Sequence, residues 1–454
     1  MHLLHAIPQR FNKHNWLFIT IAAIALLFAN YLTPSLNAAS PLPIKPPHYR
    51  GLIATPDHTL WISGTKGTIL RGKFVDSFTV RYDTCKTQYP TKDFRDIWAI
   101  DQHTAIAMSI SDSAVIIKTT DGGNSWKTVY HDETPGIFLD VIEIDPKTGV
   151  GIVLGDPLSQ NQQSQKHFKA LLTTDFGNSW INIPDAEWSI PLDTLESFFA
   201  ASGTSLSIIL SKANHKKQKY SLTVGFAGGG LSPQFHLLQI GYTPKKSAAQ
   251  VPQTDQPSAW KFKSLPTLPM TLKGGPAWGC YGLSIHKYQH GIAVGGNYAS
   301  PDFRGDSSGA IAACSNDILN QWQAAKTPPN GYRSGVCISQ AYSKEYIFNL
   351  FFRDIQNHCN TFYTAVGELP SDYFFKTHHA KFLTMAFCTG TNGTDISFDG
   401  GKNWLALSQE RGFNACTWHN NTLILVGNQG KIKTIPVSDM ANLFQQLNPL
   451  DPTR

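Results

Sequence analysis

One motif recurs along this chain at a fixed internal spacing, and it limits the possible folds more than any other feature. "KTTDGGNSW" spans residues 118–126, "LLTTDFGNSW" spans 171–180 and "ISFDGGKNW" spans 396–404. Asp121 precedes Trp126 by five positions, as Asp175 precedes Trp180 and Asp399 precedes Trp404. Two looser copies keep the interval, Asp255 with Trp260 and Asp317 with Trp322. Repeats of this kind build arrays of one supersecondary unit.

Each full copy joins two β-prone runs, such as "AVIIKT" at 114–119 and "WKTVY" at 126–130. Strand, tight turn, strand is a hairpin. Within the turn the Asp carboxylate accepts backbone N–H groups. Gly123, Gly177 and Gly401 fit positions of positive φ. The Trp is expected to fold back over the hairpin and shield it from water. Copies 255–260 and 317–322 lack the glycine, so their turns are expected to differ. Turn mechanics explains every residue type in the motif, which is therefore read as structural rather than catalytic.

The five Trp residues are spread over the chain at spacings that fit four-stranded blades of roughly 40–50 residues plus loops. Seven segments read as blade starts: 51–70, 93–109, 138–156, 195–210, 281–296, 332–339 and 413–432. The expected fold is all-β, a single seven-bladed β-propeller of four-stranded antiparallel blades over residues 48–437. Strands from the two chain ends are expected to share a blade and close the ring. A Pro/Gln/Ser-rich stretch at 241–258 and an aromatic-rich stretch at 343–382 read as inserts, and 438–454 as a C-terminal tail. With 11% aromatic residues, 36 Gly and 27 Pro, the composition suits short strands joined by turns.

Arg10 and Lys13 precede an uncharged apolar run at 16–32, followed by small residues at 33–40. That order is an export signal. Residues 1–39 are expected to be a signal peptide, cleaved after Ala39, or a membrane anchor near the minimum spanning length, with 40–47 a Pro-rich linker. Either arrangement places the propeller outside the cytoplasm, in the periplasm or facing it. The net charge of +6 is spread thinly, with no basic stripe for nucleic acid. Seven cysteines, Cys85, Cys280, Cys314, Cys337, Cys359, Cys388 and Cys416, include no C-x-x-C pair, and their connectivity is open. "GFAGGG" at 225–230 lacks the features of a phosphate or dinucleotide loop. His378 and His379 are adjacent and lack zinc-ligand spacing. No cofactor and no metal site is expected.

The repeat resembles the Asp-box (BNR) repeat of sialidases, related glycosidases, sortilin-like receptors and photosystem II assembly factors. The ordered set "DFRDI", "GIVLGDP", "FFAASGT", "IAVGGNY", "GYRSGV", "GTNGTDISFDGGKNW" and "FNA" resembles bacterial exported proteins related to the photosystem II stability/assembly factors, often labelled oxidoreductases. The likeness covers about residues 48–437 outside the inserts. It implies a seven-bladed, WD40/YVTN-like propeller with a binding role.

Residues at blade starts are expected to converge on the axial channel. Asp93, Arg95, Asp96, Asp156, Glu196, Asn297, Tyr298, Arg333, Asp395 and Asn414 are the candidate binding residues. The bland alternative is that they hydrogen-bond loops and neighbouring blades. The leading reading is a non-enzymatic exported scaffold that binds a protein or an envelope assembly intermediate through this face. The runner-up is a glycoside hydrolase acting on a glycan, with Glu196, Asp93 and Asp156 as its carboxylates. A sialidase would need an arginine triad, which Arg95, Arg304 and Arg333 permit but do not require, and "DFRD" at 93–96 is not its Phe-Arg-Ile-Pro motif.

Overall fold

A computed structural model describes residues 45–447 except 77–78, 111–112, 158–167, 184–195, 200, 232, 244–259, 265–267, 270–271, 273, 287–289, 305–311 and 352–381. The apolar run at 16–32, the core of the insert at 241–258 and most of that at 343–382 therefore lie outside the described residues. Among the described residues no helix is long and apolar enough to cross a membrane.

The chain is nearly all β. Its strands fall into antiparallel sheets taken up in chain order. The first sheet covers residues 49–85, the second 94–132, the third 139–182 and the sixth 335–408, each with four strands. The fourth, over 206–264, gains a short fifth member at Leu268–Pro269. The seventh, over 413–436, has three strands. Strand content follows from alternating or continuously apolar runs; Ala114–Thr119 and Thr422–Gly427 are buried at every position.

The segment at 195–210 serves two sheets rather than starting one. Glu196–Ser197 pairs with Gly229–Gly230, which joins the fifth sheet beside Trp278–His286. Leu206–Asn214 then becomes the first strand of the fourth sheet.

The first strands of successive sheets lie side by side. Tyr49–Ala54 packs on Phe94–Ala99, that on Leu139–Ile144, and so on through Leu206–Asn214, Trp278–His286 and Gly335–Ser343 to Phe413–His419. Phe413–His419 packs back on Tyr49–Ala54. The chain ends share no sheet among the described residues, contrary to the expected shared blade. They meet instead through specific polar contacts: Asn414 Nδ2 donates to Tyr49 O at 2.9 Å and Gly430 N to Pro47 O at 2.7 Å.

The repeated turns sit between the third and fourth strands of their sheets, as hairpins. Asp121 Oδ1 accepts Ser125 N at 3.0 Å and Thr119 Oγ1 at 2.8 Å, and Asp175 repeats the pattern with Ser179 and Thr173. Asp399 accepts Asn403 N at 2.9 Å. Gly123, Gly177 and Gly401 have φ of +85°, +72° and +88°. A Cβ on Gly123 would lie 2.4 Å from Cys85 Sγ, and one on Gly177 2.3 Å from Ile106 Cδ1, each in the preceding sheet. The glycine thus allows two sheets to close up as well as the chain to turn.

The Trp folds back on its own turn, as where Trp404 Nε1 donates to Gly401 O at 3.0 Å, and also reaches the neighbouring sheet. Trp180 inserts among Ile106, Met108 and Ile144 toward the second sheet, Trp404 among Ile292, Val294 and Ala312 of the fifth, and Trp322 against Phe235 of the fourth at 5.0 Å. Trp126 is half-buried and meets Trp61 of the first sheet edge-on. Asp317, without the glycine, makes a tighter turn in which Asn320 N and Gln321 N both donate to its carbonyl. Asp255 lies outside the described residues, and Trp260 opens the strand Trp260–Ser264.

The insert at 343–382 begins as the helix Lys344–Phe351, whose Ile347, Phe348 and Phe351 bury against the sixth and seventh sheets. The tail after 437 starts as the helix Val437–Leu447. The six described cysteines are free thiols; Cys359 falls outside the described residues.

Candidate functional site

Backbone irregularity places the site. In the first sheet Tyr49 pairs with Gly64 and Gly51 with Ser63, so Arg50 is the extra residue of a β-bulge. The same skip isolates Arg95 in the second sheet, Asp140 in the third, Tyr281 in the fifth and Asn414 in the seventh. A bulge re-aims a side chain out of the ladder. All five bulged residues line one cavity of about 550 Å³, at the mouth formed where the first strands begin.

Its walls are aromatic. Phe138, Phe198, Phe199, Tyr298 and Tyr332 line it with Tyr281. Phe199 stacks on Tyr281 at 4.6 Å and 15°, and Tyr332 meets Tyr281 edge-on at 4.9 Å. Tyr298 stands over them 54% exposed, its ring 6.2 Å from both Phe199 and Tyr281. Aromatic pairs at these separations hold a rigid apolar surface.

Besides hydroxyls, the polar groups are two guanidiniums, two carboxylates and an amide. Arg95 Nε is 3.0 Å from Asp93 Oδ2. Burial, and then the neighbouring Arg95 charge, lower the pKa of Arg50, while Asp93 acts in the other direction. Arg50 Nε is buried without a hydrogen-bond partner, as is Asn414 Oδ1. Asp156 Oδ1 accepts Phe198 N at 2.9 Å, and burial raises its pKa nonetheless. Burial likewise raises the phenols of Tyr281 and Tyr332.

Of the sequence candidates, Arg95, Asp156, Tyr298 and Asn414 line this mouth, and Asp93 adjoins it through Arg95. The others are engaged elsewhere. Glu196 is 4% exposed and pairs with His236 at 2.8 Å, behind the wall rather than on it. Asp96 bridges two sheets, accepting Ile97 N at 2.8 Å and Ile142 N at 2.9 Å, and burial lifts its pKa to about 7. Arg333 is sealed in an ion pair with Asp395, which also accepts from Arg333 Nε at 2.6 Å. Asn297 caps its own turn through Ala299 N at 2.9 Å. Glu196, Asp96, Arg333, Asp395 and Asn297 are thus held by structural contacts, the first four within or between sheets and Asn297 in its turn. The sequence does not single out Arg50, Asp140, Tyr281 or Tyr332, which also line the mouth. The segments "YRGL" at 49–52 and "FRDI" at 94–97 share an aromatic-Arg start, the one signal that could have found Arg50.

Among the described residues no three His, Cys, Asp or Glu side chains gather as a metal site. Sheets arranged around a mouth, first strand beside first strand, define a β-propeller architecture. No protein-family model matches the chain, and no curated protein is similar to it in sequence. Solved structures similar to it include YCF48 from Cyanidioschyzon merolae, at 13% identity over 87% of this chain and 97% of that one, with a TM-score of 0.43. Another is YCF48 bound to a D1 peptide, at 10% identity over 87% and 94%, with a TM-score of 0.41. The WD40 propeller domain of Doa1 is similar at 10% identity over 86% and 93%, with a TM-score of 0.43.

Proposed function

We propose that this chain is an exported, seven-bladed Asp-box propeller that acts as a scaffold or assembly factor, binding a protein segment at its axial mouth. The carrying observation is the convergence of Arg50, Arg95, Asp140, Tyr281 and Asn414, each bulged from a different sheet, on one aromatic-walled cavity. Guanidiniums beside rings suit a segment that presents carboxylates next to apolar side chains. Rigid rings add contact area at small entropic cost. The apolar run at 16–32 supports export to the periplasm, with or without cleavage.

The test is capture from envelope fractions by wild type and by Arg50→Ala and Tyr298→Ala. Tyr298 is exposed, so its removal should abolish capture and leave melting unchanged. Undiminished capture by both variants would reject the mouth as the binding site.

One observation favours a glycosidase as second reading: Asp140 and Asp156 both line the mouth, and Asp156 is pushed up by burial as a general acid requires. Glu196, capped by His236, drops out of that role. Turnover of any glycan that Asp156→Asn abolishes would establish this reading in place of the scaffold.

A further inference from the structure

At the rim of the seam where Phe413–His419 meets the first sheet, two histidines from opposite ends of the chain touch. His58 Nδ1 lies 2.9 Å from His419 Nε2, with ring centroids 5.0 Å apart and planes at 66°. His58 occupies the turn between Tyr49–Ala54 and Thr59–Gly64 at φ +61°, a conformation most non-glycine residues avoid. His419 ends its strand and rests on the Phe74 ring at 5.6 Å. His58 is exposed and His419 half-buried, so the pair is open to solvent on one side.

We propose that His58 and His419 form a two-imidazole site for a borderline transition-metal ion, Cu²⁺ or Ni²⁺, that staples the first sheet to the seventh. Two metal–nitrogen bonds of about 2.0–2.1 Å to atoms 2.9 Å apart close at roughly 90°. That is the cis angle of a square-planar or octahedral ion, which Cu²⁺ and Ni²⁺ adopt. A tetrahedral Zn²⁺ site needs the nitrogens a few tenths of an ångström further apart, at roughly 109°. Water completes the coordination shell.

Neutral imidazole is the ligand form. Asp57 itself is occupied, accepting Thr55 Oγ1 at 2.5 Å and Gln102 N at 2.7 Å, so it orients the turn rather than serving as a third ligand. The two ligands lie 361 positions apart in sequence. An ion held by both binds the closed seam and not the open chain, and so stabilises closure by mass action.

The test is thermal melting of the full chain at pH 7.5 with Ni²⁺, Cu²⁺, Zn²⁺ or Mg²⁺ chloride, in a non-chelating buffer. Wild type should rise by about 3 °C at roughly a hundredfold excess of Ni²⁺ over its dissociation constant. Cu²⁺ should act at lower concentration, Zn²⁺ more weakly, and Mg²⁺ not at all. His58→Asn keeps a residue that tolerates positive φ and removes the ligand. It should melt like the metal-free wild type and lose the Ni²⁺ shift, as should His419→Gln, while His131→Ala should keep it. The proposal fails if wild type gains nothing from Ni²⁺ or Cu²⁺, if either ligand variant retains the shift, or if Mg²⁺ reproduces it.

Discussion

The Asp…Trp repeat divides its work between neighbours. Asp121, Asp175 and Asp399 close their own turns, each accepting a backbone N–H three or four residues on. Those contacts were legible in the sequence because they are local: donor and acceptor fall inside one motif. The reach of the Trp beyond its own turn was not legible, because the wall it meets belongs to the preceding sheet, tens of residues away. Trp404 is 2% and Trp180 6% exposed, whereas Trp126 is only half-buried. Trp404→Ala and Trp180→Ala should each cost about 3–5 kcal/mol in chemical denaturation, and Trp126→Ala distinctly less. Equal losses at all three would mean that insertion between sheets is not what the Trp contributes. Asp121 carries a pH signature as well. Its hydrogen bonds hold its pKa at about 2, below the unfolded value, so its contribution is present above about pH 4. That contribution is lost as pH falls toward 2, and Asp121→Asn should remove this part of the acid-melting curve.

At the scale of strands, the starts of most sheets were readable from apolar runs, 195–210 being divided between two sheets, but the bulges were not. A bulge is a one-residue slip against a partner strand, and a single strand's sequence does not fix its register. Hence the sequence points to Arg95 and Asn414 but not to Arg50, Asp140 and Tyr281, which hold equivalent positions. Glu196, Arg333 and Asp395 carry charge suited to a site, yet their side chains pair within the walls. The packing of the second sheet on the third has its own consequence. Burial raises Asp96 to about 7, and burial together with Asp96 raises the half-buried Glu143 to about 8. Unfolded, both ionise near pH 4. The folded chain therefore binds more protons between about pH 4 and 8, and stability falls as pH rises through that window. The lowered carboxylates, Asp57, Asp132, Asp302 and Glu410, lose their contribution only on the acid side of it. Melting temperature should therefore peak near pH 4–6 and decline toward pH 8, with a shallower decline in Glu143→Gln. A curve that climbs from pH 5 to 8 would show that these two groups titrate normally.

For the whole molecule, the succession of antiparallel sheets was legible and the mode of closure was not. The expected shared blade would have hydrogen-bonded the two ends into one sheet. Instead, among the described residues, the four-stranded first sheet and the three-stranded seventh share no strand, and the seam between them carries hydrogen bonds from side chains and loops to backbone carbonyls. Asn414 is central to it: 1% exposed, it donates to Tyr49 O at 2.9 Å and to Asn428 Oδ1 at 3.0 Å. His48 Nδ1 also lies 3.0 Å from Asn428 Oδ1, so one amide oxygen gathers both ends of the chain. No short-range pattern encodes a contact across 365 positions, which is why the sequence points to Asn414 at the mouth and is silent on its amide nitrogen as a clasp. Asn414→Ala should cost about 1–3 kcal/mol, since it leaves a buried carbonyl unpaired. Ser334 offers a control at an interior seam, donating to Asn414 O at 2.7 Å between the sixth and seventh sheets. Ser334→Ala should cost a comparable amount without freeing the chain ends. Limited proteolysis separates the two, because a clasp failure opens locally before the molecule unfolds globally. Cleavage in Asn414→Ala should begin around residues 49–54 and 413–436, ahead of the second to fifth sheets. Uniform cleavage along the chain in both variants would mean that the seam is no weaker than any other joint and that Asn414 clasps nothing.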